Sequence, residues 1–203
     1  KKTPFVAEAL LWIEYTGMRK SSTCKLKWED IENFEERKKA TIILRRIDNK
    51  NRASKNTIDE VTPITFLMRR VIRRLKVQLK RNPKYRWLPF LFPSGQVNWD
   101  KVNDPINYPG HKYSDECRLS ERTLNDHWNK IREKTGIQGA VRTLRKSKDT
   151  HGIDKIGEVK MMFVMDRKSI EVQRRNYNKP QLDKKRKWAN EVAEIYKFKT
   201  NEQ

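Results

Sequence analysis

The sequence predicts a mainly α-helical domain with a small antiparallel β-hairpin or three-stranded sheet on one edge, an α+β fold. Two observations lead to this prediction. Apolar residues recur at helical spacing in most segments, and only Ala40–Ile47 and Asp59–Thr65 have the composition of strands. A polar turn over Asp48–Asn56 separates these two stretches and makes them a long-looped hairpin.

The helices are predicted from the spacing of apolar residues and from their end signals. Gly17 is expected to end the first helix, and Ser21 or Ser22 to cap the second. The many Pro, Gly, Asn and Asp residues between Ser94 and Leu119 predict a long loop. The predicted helices cover Phe5–Met18, Ser21–Leu26, Thr65–Arg81, Ser120–Lys134, Val141–Thr150, Ile156–Met165 and Lys184–Phe198. Three tryptophans are assigned to the core: Trp12, Trp28 and Trp128.

The charge of the chain points to a polyanionic partner. The sequence has 47 Lys and Arg against 26 Asp and Glu, a formal charge of +21. Such an excess repels itself in a compact fold, so a polyanion is the expected partner, and nucleic acid is the commonest one. A membrane surface is the alternative, but no apolar run approaches the roughly 20 residues that a spanning helix needs.

One predicted helix concentrates this charge. In Thr65–Arg81 the apolar stripe is Met68, Val71, Ile72, Leu75 and Leu79. The other faces hold six cations and no acid: Arg69, Arg70, Arg73, Arg74, Lys76 and Lys80. Contact with the DNA backbone is the favoured interpretation of part of this run, and a solvated surface is the alternative.

Localisation is predicted from what the sequence holds and lacks. The first residues have no apolar stretch typical of a signal peptide, and nothing suggests that Cys24 and Cys117 pair. We therefore expect a cytoplasmic, DNA-associated protein. The sequence does not begin with Met, so it is expected to be part of a longer protein.

The residue pattern favours chemistry on DNA without a metal. The carboxylates near the hairpin are better explained as turn and surface residues than as a metal cluster. His111, His127 and His151 lack zinc-site spacing with either cysteine, and neither type of Gly-rich phosphate loop is present. An arginine-based site with no metal and no cofactor is the remaining prediction.

Three motifs support this prediction. They are YTGMR at Tyr15–Arg19 with LKWEDI at Leu26–Ile31, VRTLRKSKDT at Val141–Thr150, and KSIE at Lys168–Glu171, which leads to YNKP at Tyr177–Pro180. In this order they resemble the catalytic domain of the tyrosine recombinases, the phage-integrase family, over nearly all of residues 5–180. The resemblance implies that family's catalytic-domain fold, a role in integrating or excising a mobile element, and a prokaryotic or viral host cell.

The resemblance also assigns roles to four residues. Arg19 and Arg145 would clamp the scissile phosphate with bidentate guanidinium groups. Lys55, eight residues before Pro63, would protonate the leaving 5′-oxygen. Tyr177, 32 residues after Arg145, would attack phosphorus and form a covalent 3′-phosphotyrosyl link. That link conserves the bond energy, so rejoining would need neither ATP nor a metal.

Two positions depart from the family pattern. Arg142 stands where the family has a His, and Arg167 stands near the place of a second His or Trp. Arg167 is ten residues before Tyr177 where nine is usual, so Lys168 is an alternative occupant. These cations keep a positive donor near the phosphate, but neither Arg nor Lys is a good base near neutral pH. Related type IB topoisomerases tolerate a Lys at the position that Arg142 occupies here.

Each assignment has a plain structural alternative. A single Tyr such as Tyr177 is more often a packing or surface residue than a nucleophile. Arg19 follows a glycine and could be a cation at a helix end. Lys55 shares its polar turn with Lys50 and Arg52, and a hairpin lysine is usually only solvated.

The resemblance divides the chain into a catalytic domain, residues 1–180, and a C-terminal helical tail, residues 181–203. In the family such a tail docks on a neighbouring subunit. In this sequence Pro180 would be the hinge and the basic stretch Lys184–Lys187 the arm of that tail. Packing of the tail on its own domain is the alternative. The resemblance implies a homotetramer on double-stranded DNA. The family's N-terminal DNA-clamping domain is not in this sequence.

Two other functions remain open. A recombinase-derived protein could hold DNA without cutting it, as the two replaced histidines suggest. A type IB topoisomerase would use Arg19, Arg145 and the hairpin equally, but would act as a monomer and would not exchange partners.

Overall fold

The computed structural model describes residues 5–44, 60–164 and 182–198. Over these ranges the chain is mostly helical with one small antiparallel sheet, which confirms the predicted α+β class. No helix in the described ranges is long and apolar enough to cross a lipid bilayer. The helices are α1 (Val6–Thr16), α2 (Lys20–Lys25), α3 (Phe66–Arg81), α4 (Trp99–Asn103), α5 (Glu121–Thr135), α6 (Arg142–Ile156), α7 (Glu158–Val164) and α8 (Leu182–Phe198).

The sheet has three strands in the order β1 (Ile31–Glu32), β2 (Thr41–Leu44) and β3 (Glu60–Pro63). Neighbouring strands are antiparallel, with Thr41 opposite Pro63 and Leu44 opposite Glu60. The predicted hairpin therefore exists, and β1 makes it the three-stranded form of the prediction. Ile42 is fully buried, so one face of this sheet closes the core.

Helix α3 forms because its apolar stripe matches the helical period. Met68, Val71, Ile72 and Leu75 are all buried, as the spacing predicted. The side chain of Thr65 caps the helix by accepting a hydrogen bond from the Met68 amide at 3.4 Å. This leaves the opposite face of α3 to the solvent.

The main core lies between α1, α3, α5 and the segment that precedes α4. Trp12 is fully buried, and its ring meets that of Phe92 edge-on at 5.9 Å. Trp128 is buried, and Trp28 is half-buried against the same core. The assignment of these three tryptophans to the core is thus confirmed.

Helix α6 runs further than predicted. The sequence placed its end at Thr150, but the helix continues to Ile156 and ends before Gly157. Gly152 weakens the helical signal, yet it is buried where α6 packs on α7, and a β-carbon there would collide with Met161. Close packing between two helices, which a local pattern cannot show, explains the difference.

The predicted loop 94–119 contains α4 and two short 3-10 turns at His111–Tyr113 and Asp115–Cys117.

The C-terminal helix α8 packs on its own domain. Its Ala189 and Val192 are buried against Ile156, Met161 and Val164 of α6 and α7. The predicted basic arm is part of this helix: the Lys185 ammonium donates to the Val61 carbonyl at 2.8 Å, and Arg186 donates to the carbonyls of residues 37 and 40. Pro180 lies outside the described residues, and docking on a neighbouring subunit stays a prediction.

Candidate nucleic-acid interface

The motif Tyr15–Arg19 is a tight exit from α1. Gly17 adopts a left-handed conformation with φ of 67°, which favours glycine, and its amide donates to the Ile13 carbonyl at 2.8 Å. The Met18 amide donates to the Thr16 hydroxyl at 3.0 Å. These two hydrogen bonds complete the end of α1. The N-cap of α2 is the extended residue Arg19, not the predicted Ser21 or Ser22, and the side chain of Arg19 is exposed.

Arg19 is fixed through its backbone. Its carbonyl accepts the Thr23 amide at 2.9 Å and the Thr23 hydroxyl at 3.1 Å. Thr23 is fully buried, which holds this turn against the core. The exposed guanidinium side chain of Arg19 therefore extends from a backbone that is fixed against the core.

The second motif occupies the first half of α6. Val141 is buried in the main core, Arg142 is exposed on the first turn, and Arg145 is half-buried one turn later. Gly139, with φ of 99°, turns the chain into α6, and its carbonyl accepts the Trp128 indole N–H at 3.0 Å. A β-carbon at Gly139 would collide with Thr143, so both the positive φ and the lack of space favour glycine at this position.

Lys148 joins these two motifs. It lies one turn after Arg145 on α6, its side chain is only 3% exposed, and its ammonium donates to the backbone carbonyl of Tyr15 at the end of α1. Tyr15 in turn lies four residues before Arg19. The packing of α1 on α6 therefore brings the two arginine motifs, 126 residues apart in sequence, to one junction, here called the α1–α6 junction.

Burial sets the charge of this lysine. Removal from water lowers the pKa of Lys148 from 10.5 to about 7, because an ammonium group loses its hydration in the interior. Burial also raises the pKa of the phenols of Tyr15 and Tyr196, whose rings meet edge-on at 5.3 Å nearby. Both phenols stay neutral across the range in which Lys148 titrates.

Replacing Lys148 with Met is expected to stabilise the fold below pH 7 by a few kcal/mol. The folded-state pKa is about 7 and the unfolded value is 10.5, so the unfolded chain binds more protons between these two values. The free energy of unfolding of the wild type should therefore rise as the pH increases through this window, and K148M should lack the rise. Urea unfolding at pH 6, 7.5 and 9 measures both effects.

Lys146→Met is the matched control, because Lys146 is exposed on the same helix. It should change stability equally at all three pH values. A K148M variant that is less stable than the wild type at pH 6 would mean that the bond to the Tyr15 carbonyl outweighs the cost of burial.

Three of the predicted site residues, Lys55, Arg167 and Tyr177, lie outside the described residues, as does Lys168. The structure does show what flanks them. Lys55 belongs to the segment that joins the paired strands β2 and β3. Tyr177 and Arg167 belong to the segment between α7 and α8, two helices that both pack against α6.

Sequence reasoning missed a side-chain pair on α6. The Ser147 hydroxyl and the His151 Nδ1 are 3.3 Å apart, and their spacing of four residues is the signal that could have found them. His151 is nine residues beyond Arg142, roughly 14 Å along the helix axis, so it cannot take the place of the replaced histidine.

The basic run on α3 divides into two groups. Arg69 is only 6% exposed: it donates to the Phe34 carbonyl, and its guanidinium lies over the Phe34 ring at 4.9 Å from the centroid. Arg69 is therefore a structural residue, and the predicted contact with the DNA backbone stays a prediction for the exposed part of the run. Arg74 pairs at 3.2 Å with Glu8, which is only 2% exposed. The other cations of α3 are exposed: Arg70, Arg73, Lys76, Lys80 and Arg81.

Comparisons of this chain with protein-family models, with curated proteins and with solved structures found no significant match.

Proposed function

We propose that this chain is the catalytic domain of a site-specific DNA recombinase or integrase with the tyrosine-recombinase fold. The observation that carries the proposal is the α1–α6 junction, which gathers the motifs of Arg19 and Arg145 at the two ends of one buried contact. Two planar guanidinium groups, if both reach one phosphodiester, suit its two non-bridging oxygens, each of which accepts hydrogen bonds.

The proposed reaction is a transesterification in two steps. In the first, the Tyr177 phenol loses its proton to water, its oxygen attacks phosphorus, the bond to the 5′-oxygen breaks, and the Lys55 ammonium donates the proton that the leaving oxygen takes up. In the second, a free 5′-hydroxyl gives its proton to the Lys55 amine and attacks phosphorus, the phosphotyrosyl bond breaks, and the released tyrosinate takes up a proton from water. Arg19 and Arg145, with Arg142 and either Arg167 or Lys168, neutralise the charge that develops on the phosphate in each step.

Charge supports DNA as the substrate. The net charge of +21 and the exposed cations of α3 would bind phosphates along a duplex, and the affinity should fall steeply with salt. Exchange of strands needs two cleaved duplexes held together, so we propose a homotetramer on paired sites. In such an assembly α8 could keep the contacts described above or exchange them with a neighbour.

A covalent trap tests the proposal. The full-length protein is mixed, in the presence of a metal chelator, with a pool of nicked duplexes whose central bases are randomised. Loss of the short nicked fragment removes the 5′-hydroxyl needed for rejoining, so the covalent intermediate should accumulate as a slow band on a denaturing gel. Peptide mapping of this band should find the nucleotide on Tyr177.

Other outcomes separate the rival functions. Tight, salt-sensitive binding without a covalent band would indicate a recombinase-derived DNA-binding protein. A band accompanied by relaxation of supercoiled plasmid, but without strand exchange between two labelled duplexes, would indicate a type IB topoisomerase.

A further inference from the structure

Trp87 is an exposed indole on an otherwise ordered part of the surface. All six tryptophans of the chain lie within the described residues, and the other five are buried or half-buried. Trp87 is 77% exposed, which leaves a large apolar ring in water. It ends the 3-10 helix Pro83–Trp87, directly after α3.

The backbone that carries Trp87 is fixed on both sides. Tyr85 is buried and meets the rings of Phe5 and Trp99 edge-on at 5.1 and 5.2 Å. Leu88 is buried, and its amide donates to the Tyr85 carbonyl at 3.2 Å. Because Tyr85 and Leu88 are anchored in the core on either side of Trp87, binding of a ligand to the indole costs little further conformational entropy of the backbone.

The surroundings of this indole are cationic. From Val61 to Trp99 the sequence holds nine Lys and Arg and no Asp or Glu. Four of these cations lie within seven residues of Trp87 in sequence, and all four are exposed: Lys80, Arg81, Lys84 and Arg86. The Lys84 ammonium lies 5.1 Å from the centroid of the Trp99 ring, which limits the positions that this cation takes on the surface.

An exposed aromatic ring among cations fits one class of ligand well. Cations alone bind any phosphate backbone, but a rigid indole adds a flat apolar face on which a base can stack. In duplex DNA the faces of the bases are already stacked on each other, so only an unpaired base can use the ring. An acidic peptide would satisfy the cations but would leave the indole without a matching group.

We propose that Trp87 is a stacking platform for an unpaired base of single-stranded DNA, with Lys80, Arg81, Lys84 and Arg86 binding the flanking phosphates. The site needs no cleavage chemistry, so it goes beyond the function proposed above and stands separately from it. In an enzyme that exchanges strands, such a site would hold the strand freed by cleavage until it rejoins.

Fluorescence anisotropy with a labelled 15-nucleotide oligothymidine and a blunt duplex of the same length tests the proposal at one fixed salt concentration. Trp87→Ala should weaken binding of the single strand about tenfold and change binding of the duplex less than twofold. Trp87→Phe keeps an aromatic face and should lose about threefold or less on the single strand. Ile106→Ala is the matched control, since Ile106 is 89% exposed on the loop before α5, and should bind both DNAs like the wild type.

A second readout is the quenching of tryptophan fluorescence. Addition of the unlabelled oligonucleotide should quench the wild type more than Trp87→Phe. The proposal is overturned if W87A loses affinity equally for both DNAs, or if it loses none. Competition by polyglutamate tests the acidic-peptide alternative. If polyglutamate displaces the oligonucleotide less well from W87A than from the wild type, the indole binds the acidic chain, and the proposal is also overturned. None of these outcomes affects covalent trapping, so failure here and failure of the proposed recombinase activity are distinguishable.

Discussion

Replacing Tyr177 with Phe should abolish the covalent protein–DNA band while leaving the affinity for duplex DNA unchanged. Phe keeps the ring but removes the oxygen that attacks phosphorus, and no other step can form the phosphotyrosyl bond without it. Binding rests mainly on the basic surface, which the substitution does not alter. The measurement is covalent trapping beside an anisotropy titration of the same duplex.

The matched control for this variant is Tyr108→Phe, since Tyr108 is an exposed tyrosine on the loop before α5. It should form the covalent band at the wild-type rate. A covalent band of full intensity from Y177F would show that another residue is the nucleophile, and would remove the basis for the alignment of the third motif.

The packing of α7 and α8 gives this prediction a structural context. Both helices contact α6, and their shared core includes Ile156, Met161, Val164 and Val192. The segment that contains Tyr177 therefore starts and ends on elements that pack against the helix of Arg145.

The sequence predicted the fold well wherever local pattern and tertiary packing agree. The stripe of Met68, Val71, Ile72 and Leu75 is buried as its spacing required. Arg69 lies in the same helix, but its burial could not be predicted, because the Phe34 carbonyl and ring that receive it come from 35 residues earlier in the chain. The end of α6 was misplaced for the same reason, since Gly152 looks like a helix breaker until Met161 is seen against it.

The candidate site shows a similar division. Motif order predicted Arg19 and Arg145, and the structure brings their motifs to one junction. Lys148 was not selected from the sequence, because one lysine in a chain with 47 cations is expected to be solvated. The burial of Lys148 depends on its hydrogen bond to the Tyr15 carbonyl at the end of α1, and the spacing of residues within α6 cannot predict a partner so distant in sequence.

Replacing Arg145 with Ala should slow covalent cleavage about 10²–10³-fold, the usual cost of removing one group that stabilises transition-state charge. Duplex binding should weaken far less, because one phosphate contact among many is lost. Arg145→Lys should recover only part of the rate, since an ammonium cannot bind two oxygens with the planar fork of a guanidinium. Lys146→Ala, an exposed neighbour on the same helix, is the control and should cleave normally.

A double-mutant cycle with Arg19 tests whether the α1–α6 junction acts as one site. If Arg19 and Arg145 bind the same phosphate, the loss of cleavage rate in R19A/R145A should be much smaller than the product of the two single losses, because removing either one already disrupts the shared clamp. Single-turnover rates of covalent trapping, measured at saturating protein, isolate this step from binding. Losses that multiply fully would mean that the two arginines act on different groups, and R145A cleavage at the wild-type rate would remove Arg145 from the site altogether.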